Sequence, residues 1–398
     1  MLSVEDYRDR VLAGISPLSA IELPLTAIEG CILADDVTAA VSLPSFDNSS
    51  MDGYAVLSAD LVGASLESPV DLRVIDDVAA GATSVVTVTR GTAVRIMTGA
   101  GMPAGADAVI PVEQTDAGTR SVLVHGSVSA GAYVRRAGED VVAGTVVLPA
   151  GTLVQSRQIA LLAACGHGTV RVRPQPRIAV VATGSELVEP GEELVPGMIH
   201  DANSFMLIAA AREAGAQAYR VGPIPDDDAA FLDAIEDQLH RCDLILTSGG
   251  VSMGAYDTVK AVLSRLGTVH FMKVAMQPGM PQGYGRVEGT PIITLPGNPV
   301  SSYVSFEMFV RPAILRMRGV SSLERPARTA VCTAALDSPR GKRQFARARF
   351  VAGGVEPTGT GQGSHVLGGL AEADALIVIP EDQVHVAAGE AVTVLDLR

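Results

Sequence analysis

The chain has 398 residues, of which 47% are hydrophobic and 19% are charged, a composition typical of a folded globular protein and not of a disordered one. At about 150 residues per domain, this length predicts two to four folding units. The 44 acidic residues exceed the 30 Lys and Arg and give a formal charge of -14, which argues against broad electrostatic binding to nucleic acid or an anionic membrane.

The first half of the chain predicts one helix followed by β structure. Ser3 and Asp6 form a capping pattern, and apolar residues from Val4 to Leu12 fall on one helical face. The segment contains no apolar signal core, so we expect a cytoplasmic protein. From Leu23 to about Val172, short runs such as VVTVT and GTVVLP alternate with Gly and Pro and predict two interleaved β-rich units.

A different pattern begins near Arg177, where apolar strands alternate with helices and predict βαβ units around a largely parallel sheet. The predicted strands are RIAVVATG, AYRVGPI, DLILT, TVHFMKVA and PIITLP. The predicted helices are NSFMLIAAAREAG, DDDAAFLDAIEDQL, DTVKAVLSRLG and PVSSYVSFEMFVRPAILRM. Beyond Arg325 the runs ALIVIPE and EAVTVLDL return to β structure. The four cysteines are isolated and have no CxxC spacing, which favours a reducing compartment over disulfides or a zinc site.

Two loops at predicted strand ends have residue types suited to binding an anion. Ser248, Gly249, Gly250 and Ser252 follow DLILT, and glycines there let backbone N–H groups approach a ligand beyond the end of a parallel strand. A tight turn is the alternative for this loop. The second loop contains Pro296, Gly297, Asn298, Pro299 and Ser301. Asn298 as helix N-cap and Pro299 at the first helical position explain that loop equally well as a simple helix start.

Charged residues cluster near the same predicted strand ends. Three acids follow predicted strands: Glu186, Asp226 and Asp257. They are interpreted either as ligands of a divalent cation that bridges them to phosphates, or as acids that complement helix dipoles. Lys273 is one of only three lysines and lies inside an apolar strand, where it is either functional or at a sheet edge. A later basic run is either a solvated face or an anion site, and it comprises Arg340, Lys342, Arg343, Arg347 and Arg349.

Seven motifs along the chain together resemble the MoeA family of molybdopterin molybdenumtransferases, to which the gephyrin E domain is related. They are SMDGYA, RIMTGA, RRAGED, VATGSELV, TSGGVSMGAYD, LPGNPVS and QGSHVL, in the family's order. The resemblance implies a multidomain fold with a central, mainly parallel α/β molybdopterin-binding domain, β-rich N-terminal domains and a C-terminal β-barrel. The implied boundaries are 1–43 with 141–174 for a split N-terminal domain, 44–140 for an inserted β-rich domain, 175–322 for the α/β domain and 323–398 for the barrel.

The resemblance also implies the reaction and its partners. Adenylyl-molybdopterin and molybdate would give molybdenum cofactor and AMP with the help of Mg²⁺, in a homodimer whose active site lies between the α/β domain of one subunit and the barrel of the other. Partners would include the molybdopterin adenylyltransferase and apo-molybdoenzymes. The competing hypotheses are adenylyl transfer to molybdopterin and a non-catalytic molybdopterin-binding scaffold. An adenylyltransferase of the related type would lack the SMDGYA region and the barrel, both of which this sequence predicts. A scaffold that anchors receptors would need an extra domain or a long linker.

Site residues follow from the same motifs. The implied catalytic residues are Asp52, Asp140, Glu186, Asp226, Asp257 and Lys273, and of these Glu186, Asp226 and Asp257 would hold Mg²⁺. The implied substrate-binding residues are Thr98, the two loops named above, and Arg347 and Ser364, which with Ser301 would hold molybdate. One departure is visible, because the family commonly has KPGKP where this chain has Gln277, Pro278, Gly279, Met280 and Pro281. Two cations that could contact an anion are therefore replaced by neutral residues.

Overall fold

The computed structural model describes residues 1–250, 258–265, 268–359 and 361–398. The chain divides into two compact units, one formed by residues 1–21, 30–34 and 172–398 and the other by residues 22–29 and 35–171. The finer four-domain division stays a prediction. Across the described ranges, no helix is long and apolar enough to cross a membrane. The strands Ile21–Pro24 and Thr169–Arg173 lie where the chain passes between the units.

The larger unit is built around a six-stranded sheet. Its strands are β1 (Arg177–Thr183), β2 (Gln217–Ile224), β3 (Leu244–Ser248), β4 (His270–Lys273), β5 (Pro281–Val287) and β6 (Thr290–Leu295). Their spatial order is β2-β1-β3-β6-β5-β4. The strands β2, β1, β3 and β6 are parallel, and β5 is antiparallel to both of its neighbours. Because β4 is antiparallel to β5, it runs in the same direction as the parallel strands, and the predicted largely parallel sheet is confirmed.

Helices cover both faces of this sheet, as the apolar strands require. One face packs on residues such as Leu207, Phe306 and Phe309, and the other on Phe231 and Leu263. The helices of this unit are Val4–Ala13, Asn203–Glu213, Asp228–Glu236, Thr258–Arg265, Pro299–Ser305, Arg311–Met317 and Gly368–Ala371, with a π-helix at Phe306–Val310. In the sheet, β1 lies between β2 and β3, so the connections before and after β2 lead to opposite sides of β1. A change of direction of this kind creates a crevice beyond the ends of β1 and β3.

The C-terminal part of this unit is a curved β-sheet that closes on itself. Its strands are Met276–Gln277, Arg343–Val351, Ala375–Ile379, Ala391–Asp396 and Ala327–Val331 in spatial order, with Gly354–Pro357 paired to Arg343–Val351. A bridge between Cys332, which follows Ala327–Val331, and Val355 of Gly354–Pro357 closes the sheet into the predicted barrel. The smaller pairs in this unit are Leu187–Val188 with Ile199–His200 and Leu336–Asp337 with His385–Val386, and Ile32–Leu33 is a further short strand.

The smaller unit is β-rich, as predicted. Its five-stranded sheet has the order Ala108–Pro111, Gly53–Val56, Thr92–Ile96, Val70–Val78 and Ser121–Val124. Two strand pairs accompany it, Asn48–Ser49 with Val134–Arg135 and Val37–Thr38 with Val146–Leu148. Its helices are the α-helix Ser156–Ala164 and the 3₁₀ turns Leu25–Ala27, Ser58–Leu61 and Val112–Gln114.

Several local expectations can be compared with these elements. The first helix is confirmed at Val4–Ala13, where the Ser3 hydroxyl accepts the Asp6 N–H at 3.0 Å. The VVTVT run is wrong as a strand, because Val85 is 97% exposed and the run makes no ladder. The continuous helix expected after LPGN is interrupted by the π-helix, because Pro312 has no N–H for the preceding turn and its ring crowds a carbonyl there.

One strand, β5, was not predicted because its sequence PQGYGRV is rich in turn residues. In the fold, the glycines allow close approach by neighbouring backbone instead of forming turns. A Cβ atom at Gly285 would lie 2.1 Å from the Thr268 carbonyl oxygen. The composition of β5 therefore reflects crowding between strands, which local patterns do not reveal.

Candidate active site

Five predicted site segments lie along one edge of the six-stranded sheet. Since β1, β2, β3, β4 and β6 all run in one direction, the residues that end or follow them share the same edge. These residues are Glu186 after β1, Asp226 after β2, Gly249 and Gly250 after β3, Lys273 at the end of β4, and Pro296, Gly297 and Asn298 after β6. Lys273 is exposed and ends an edge strand.

The loops after β1, β3 and β6 lie against one another. Gly249 has φ +97°, and a Cβ atom there would be 2.7 Å from the Thr183 carbonyl oxygen at the end of β1. A Cβ atom at Gly297 would be 3.7 Å from the Gly249 Cα atom. A backbone this open around Gly249 and Gly297 can bring N–H groups close to an anion.

Asn203 joins two of these loops and was not among the predicted site residues. Its Nδ2 donates to the Ser248 Oγ at 2.8 Å and to the Gly297 carbonyl oxygen at 2.6 Å. The sequence shows it only as the start of a predicted helix, where an Asn is ordinarily read as a cap. The signal that could have found it is its position after a polar loop that follows a buried parallel strand.

An acidic residue at this edge, Asp226, is hydrogen-bonded to the loop that follows β1. The Asp226 carboxylate accepts the Ser185 N–H at 3.1 Å, and the Asp226 N–H donates to the Ser185 hydroxyl at 2.9 Å, so the loops after β1 and β2 are tied together. Glu186 and Asp226 are exposed. Carboxylate oxygens of this kind fit Mg²⁺ chemically. Asp257 and Ser252 lie outside the described residues, and within those residues no group of three or more His, Cys, Asp or Glu is arranged to hold a metal.

The barrel contributes Ser364 to the same edge. The Asn298 Nδ2 donates to the Ser364 Oγ at 2.9 Å, and the Val300 N–H donates to the Ser364 carbonyl oxygen at 3.1 Å. Asn298 does occupy the N-cap position and Pro299 follows it in the first turn, as predicted, but the Asn298 side chain makes no capping bond. Its amide contacts the barrel instead. Ser301 is buried one turn further along the helix.

Arg347 is enclosed beneath the loop that holds Ser364. Its side chain is fully buried, and it donates to the carbonyl oxygens of Val366 and of Gly361, the latter at 2.6 Å, while its backbone N–H donates to Gln362 Oε1 at 2.9 Å. Burial without a carboxylate partner lowers the pKa of this guanidinium. This conformation makes Arg347 a support of the Ser364 loop, and direct contact with molybdate stays a prediction.

Two other members of the basic run, Arg343 and Arg349, are paired with acids of the protein itself. Arg343 pairs with Glu5 and with Glu381, the latter at 3.0 Å. Arg349 pairs with Glu356 at 2.8 Å. These side chains are committed to ion pairs within the protein.

The loop that departs from the family pattern is held firmly at this edge. The buried Gln282 donates through Nε2 to the Gly279 carbonyl oxygen and to the Ser305 hydroxyl, both at 2.6 Å. The Val274 N–H donates to the Met280 carbonyl oxygen at 2.8 Å and closes the loop. Gln277 and Met280 are half-buried. The loop therefore presents an amide and a thioether on a fixed backbone.

In the smaller unit, Asp52 and Thr98 form a pair at the ends of adjacent strands. The antiparallel register of Gly53 opposite Ile96 brings them together. The Asp52 Oδ1 accepts the Thr98 N–H at 2.7 Å and the Thr98 hydroxyl at 2.8 Å. These two hydrogen bonds lower the pKa of Asp52, so it is ionised at neutral pH.

Asp140 lines a cleft in the same unit. The cleft has a volume of about 550 Å³, and Arg135 and Glu139 also line it. Asp140 is exposed, in agreement with a residue available to a ligand. Both predicted acids of this unit are thus at its surface.

Comparison with known proteins covers the whole chain. Family models match residues 2–166 as "MoeA N-terminal region (domain I and II)", residues 179–316 as "Probable molybdopterin binding domain" and residues 329–397 as "MoeA C-terminal region (domain IV)". The protein named molybdopterin molybdenumtransferase 2 of Mycobacterium tuberculosis is 49% identical and is covered fully, as is this chain. The molybdopterin molybdenumtransferase of Haemophilus influenzae is 35% identical, with 99% of this chain and 98% of that protein covered.

A solved structure gives the same result for the fold. The crystal structure of a molybdopterin biosynthesis MoeA protein from Pyrococcus horikoshii has a TM-score of 0.83 and 32% sequence identity, and the match covers 100% of this chain and 99% of that one. The motifs, the three family models and the full-length relatives agree. The chain belongs to the MoeA family of molybdopterin molybdenumtransferases.

Proposed function

We propose that this protein is the transferase that inserts molybdenum during molybdenum cofactor biosynthesis, converting adenylyl-molybdopterin and molybdate into molybdenum cofactor and AMP. One observation carries the proposal. Two glycine-containing loops, two carboxylates and a lysine lie along one edge of the sheet, where a barrel serine is bonded to one of the loops, in a chain whose full-length relatives are named molybdopterin molybdenumtransferases.

The chemistry at this edge suits two anions that must be brought together. Molybdate and the phosphates of adenylyl-molybdopterin repel each other, and donors fixed before binding offset that repulsion. The loops containing Ser248, Gly249, Gly250 and Ser252, and Pro296 to Pro299, would bind the phosphates. Ser364 and Ser301 would hold molybdate, with Arg347 supporting or contacting it, and Lys273 would add a positive charge. Positioning is then the main catalytic effect.

Glu186, Asp226 and Asp257 would hold Mg²⁺. When bound there, Mg²⁺ supplies positive charge that lowers the repulsion between phosphate oxygens and an incoming oxyanion. The Ser185–Asp226 hydrogen bonds keep two of the three carboxylate loops together without the metal.

Asp52, Thr98 and Asp140 would act on the adenylyl-phosphate end of the substrate. In a homodimer with an active site shared between subunits, these residues would come from the partner subunit. An ionised Asp52 fits a role in orienting groups around the phosphate, because the Thr98 hydrogen bonds keep it charged. In the cytoplasm, the molybdopterin adenylyltransferase would supply the substrate and apo-molybdoenzymes would receive the product.

The test is AMP release from adenylyl-molybdopterin by purified protein, with and without molybdate and Mg²⁺. We expect release that depends on both, and a product that reactivates an apo-molybdoenzyme. Asp257→Ala should abolish release while the oligomeric state is unchanged. The control Asp237→Ala, at the C-cap of the helix Asp228–Glu236 and so at the end of that helix remote from Asp226, should retain release. Retained turnover in Asp257→Ala contradicts the metal role. ATP-dependent adenylation of molybdopterin, or binding without turnover, contradicts insertion.

A further inference from the structure

Asn203 begins a helix, yet its side chain is not used to cap it. The N-cap position is Ala202, and the buried Asp201 before it accepts the Ser204 N–H of the first turn through Oδ1 at 3.0 Å. The Asp201 carboxylate is in turn paired with Arg220 at 3.0 Å. Because Asp201 accepts this first-turn N–H, the amide of Asn203 is available to the neighbouring loops.

The contacts of Asn203 determine which way its amide points. A backbone carbonyl oxygen can only accept, so the atom 2.6 Å from the Gly297 oxygen is the NH₂ group. The second hydrogen of that NH₂ group is directed at the Ser248 Oγ, 2.8 Å away. Ser248 therefore accepts from Asn203, and its own hydroxyl hydrogen is left for another acceptor. Within the described part of the chain, no side chain or carbonyl takes that hydrogen.

A second asparagine has the same relation to a serine at this edge. Asn298 Nδ2 donates to the Ser364 Oγ at 2.9 Å, so Ser364 also keeps its hydroxyl hydrogen. Oxyanions only accept hydrogen bonds, so a hydroxyl can approach them only as a donor. A hydroxyl that accepts from an amide keeps its hydrogen for that purpose. The two Asn–Ser pairs thus leave two neutral hydroxyl donors, on different segments of the fold.

We propose that Asn203 is a positioning residue for anion binding, which holds the loops after β3 and β6 together and commits the Ser248 hydroxyl to donate to an oxygen of the anionic substrate. The inference rests on the proposed function for the identity of that anion, the molybdopterin phosphate. It requires no contact between Asn203 and the substrate. Its effect passes through Ser248 and the loop at Gly297.

The experiment measures molybdopterin binding by calorimetry without oxygen, for Asn203→Ala, Ser248→Ala and the double variant. We expect each single change to weaken binding about tenfold, which is about 1.4 kcal/mol, and the double variant to be little weaker than either single one. Asn203→Asp should weaken binding further than Asn203→Ala, because its carboxylate takes the Ser248 hydrogen and adds negative charge. Gln217→Glu, which adds the same charge at the start of β2 on the opposite sheet edge, should bind like the wild type.

Independent effects that multiply to about a hundredfold in the double variant, or wild-type binding by Asn203→Asp, would overturn the proposal. Melting temperature is measured for every variant, since a merely structural role would lower it without coupling to Ser248. Should Asn203→Ala fail to fold, the isosteric Asn203→Asp in the presence and absence of Ser248→Ala decides between the two roles. Wild-type protein that binds molybdopterin but releases no AMP contradicts the proposed function alone, and absence of binding contradicts both.

Discussion

Replacing Gly249 with alanine tests the packing that brings the loops after β1 and β3 together. The residue has φ +97°, and the added methyl group would lie 2.7 Å from the Thr183 carbonyl oxygen and 3.0 Å from the Thr183 Oγ1. Thr183 is the last residue of β1, so its carbonyl cannot move without disturbing the strand. The backbone conformation costs about 1–2 kcal/mol for alanine, and relief of the clash adds about 1–3 kcal/mol.

Gly289→Ala is the matched control because it shares one of these two costs. Gly289 has φ +88°, but no atom lies within 4 Å of an added Cβ. It sits between β5 and β6, at the opposite edge of the sheet from the site. We therefore expect Gly289→Ala to lose about 1–2 kcal/mol of stability and Gly249→Ala to lose about 2–5 kcal/mol.

The two variants are compared by thermal unfolding and by molybdopterin binding. For a unit of this size, each kcal/mol lowers the melting temperature by about 2–4 °C, so the extra loss in Gly249→Ala is measurable. Gly249→Ala should also weaken binding, since the loop must move away from β1, while Gly289→Ala should bind normally. Equal melting temperatures and equal affinities in the two variants would show that the loop is not held against β1.

Three further changes test charges. Thr98→Val removes a hydroxyl that lowers the pKa of Asp52. The acid limb of the pH profile of kcat/KM for AMP release should therefore move to higher pH. An unchanged profile would show that the ionisation of Asp52 does not affect the reaction. Gln277→Lys adds a cation at the sheet edge and should tighten binding of adenylyl-molybdopterin about fivefold at low salt and less at high salt; salt-independent affinity would contradict this. The Arg398 hydrogen bond lowers the pKa of Asp396 to about 2. Asp396→Asn should therefore reduce the melting temperature at pH 7, and the reduction should shrink as pH falls through about 2. A difference in melting temperature between variant and wild type that stays the same at every pH would exclude the ion pair.

The sequence predicted the site best where the position of a residue follows from strand direction. Strands such as RIAVVATG and DLILT are apolar throughout, which indicates a parallel sheet, and parallel strands place their following loops at one edge. The positions of Glu186, Gly249 and Asn298 at that edge follow from this rule alone. The family resemblance added residues such as Asp52, which chain patterns would place in a surface turn.

Predictions failed where a side chain has a partner far along the chain. Asn298 has the residue type and position of a cap, but its amide donates to Ser364, 66 residues away. Asn203 likewise reads as a helix start, and its partners Ser248 and Gly297 follow two later strands. Arg347 reads as part of a basic surface run, yet a barrel strand places it in the interior. Local spacing contains no information on such contacts, which depend on how the elements pack.

The described part of the sheet edge relies on hydrogen-bond donors more than on positive side chains. Gln277 and Met280 are neutral, Arg343 and Arg349 are paired with acids, and Arg347 donates to carbonyl oxygens within its own loop. Short-range donation from serine hydroxyls and backbone N–H groups weakens steeply when the donors are misplaced, whereas attraction to a flexible lysine tolerates displacement. A site of this composition depends on rigid placement, which explains why its loops are cross-linked by buried and half-buried amides such as those of Asn203 and Gln282.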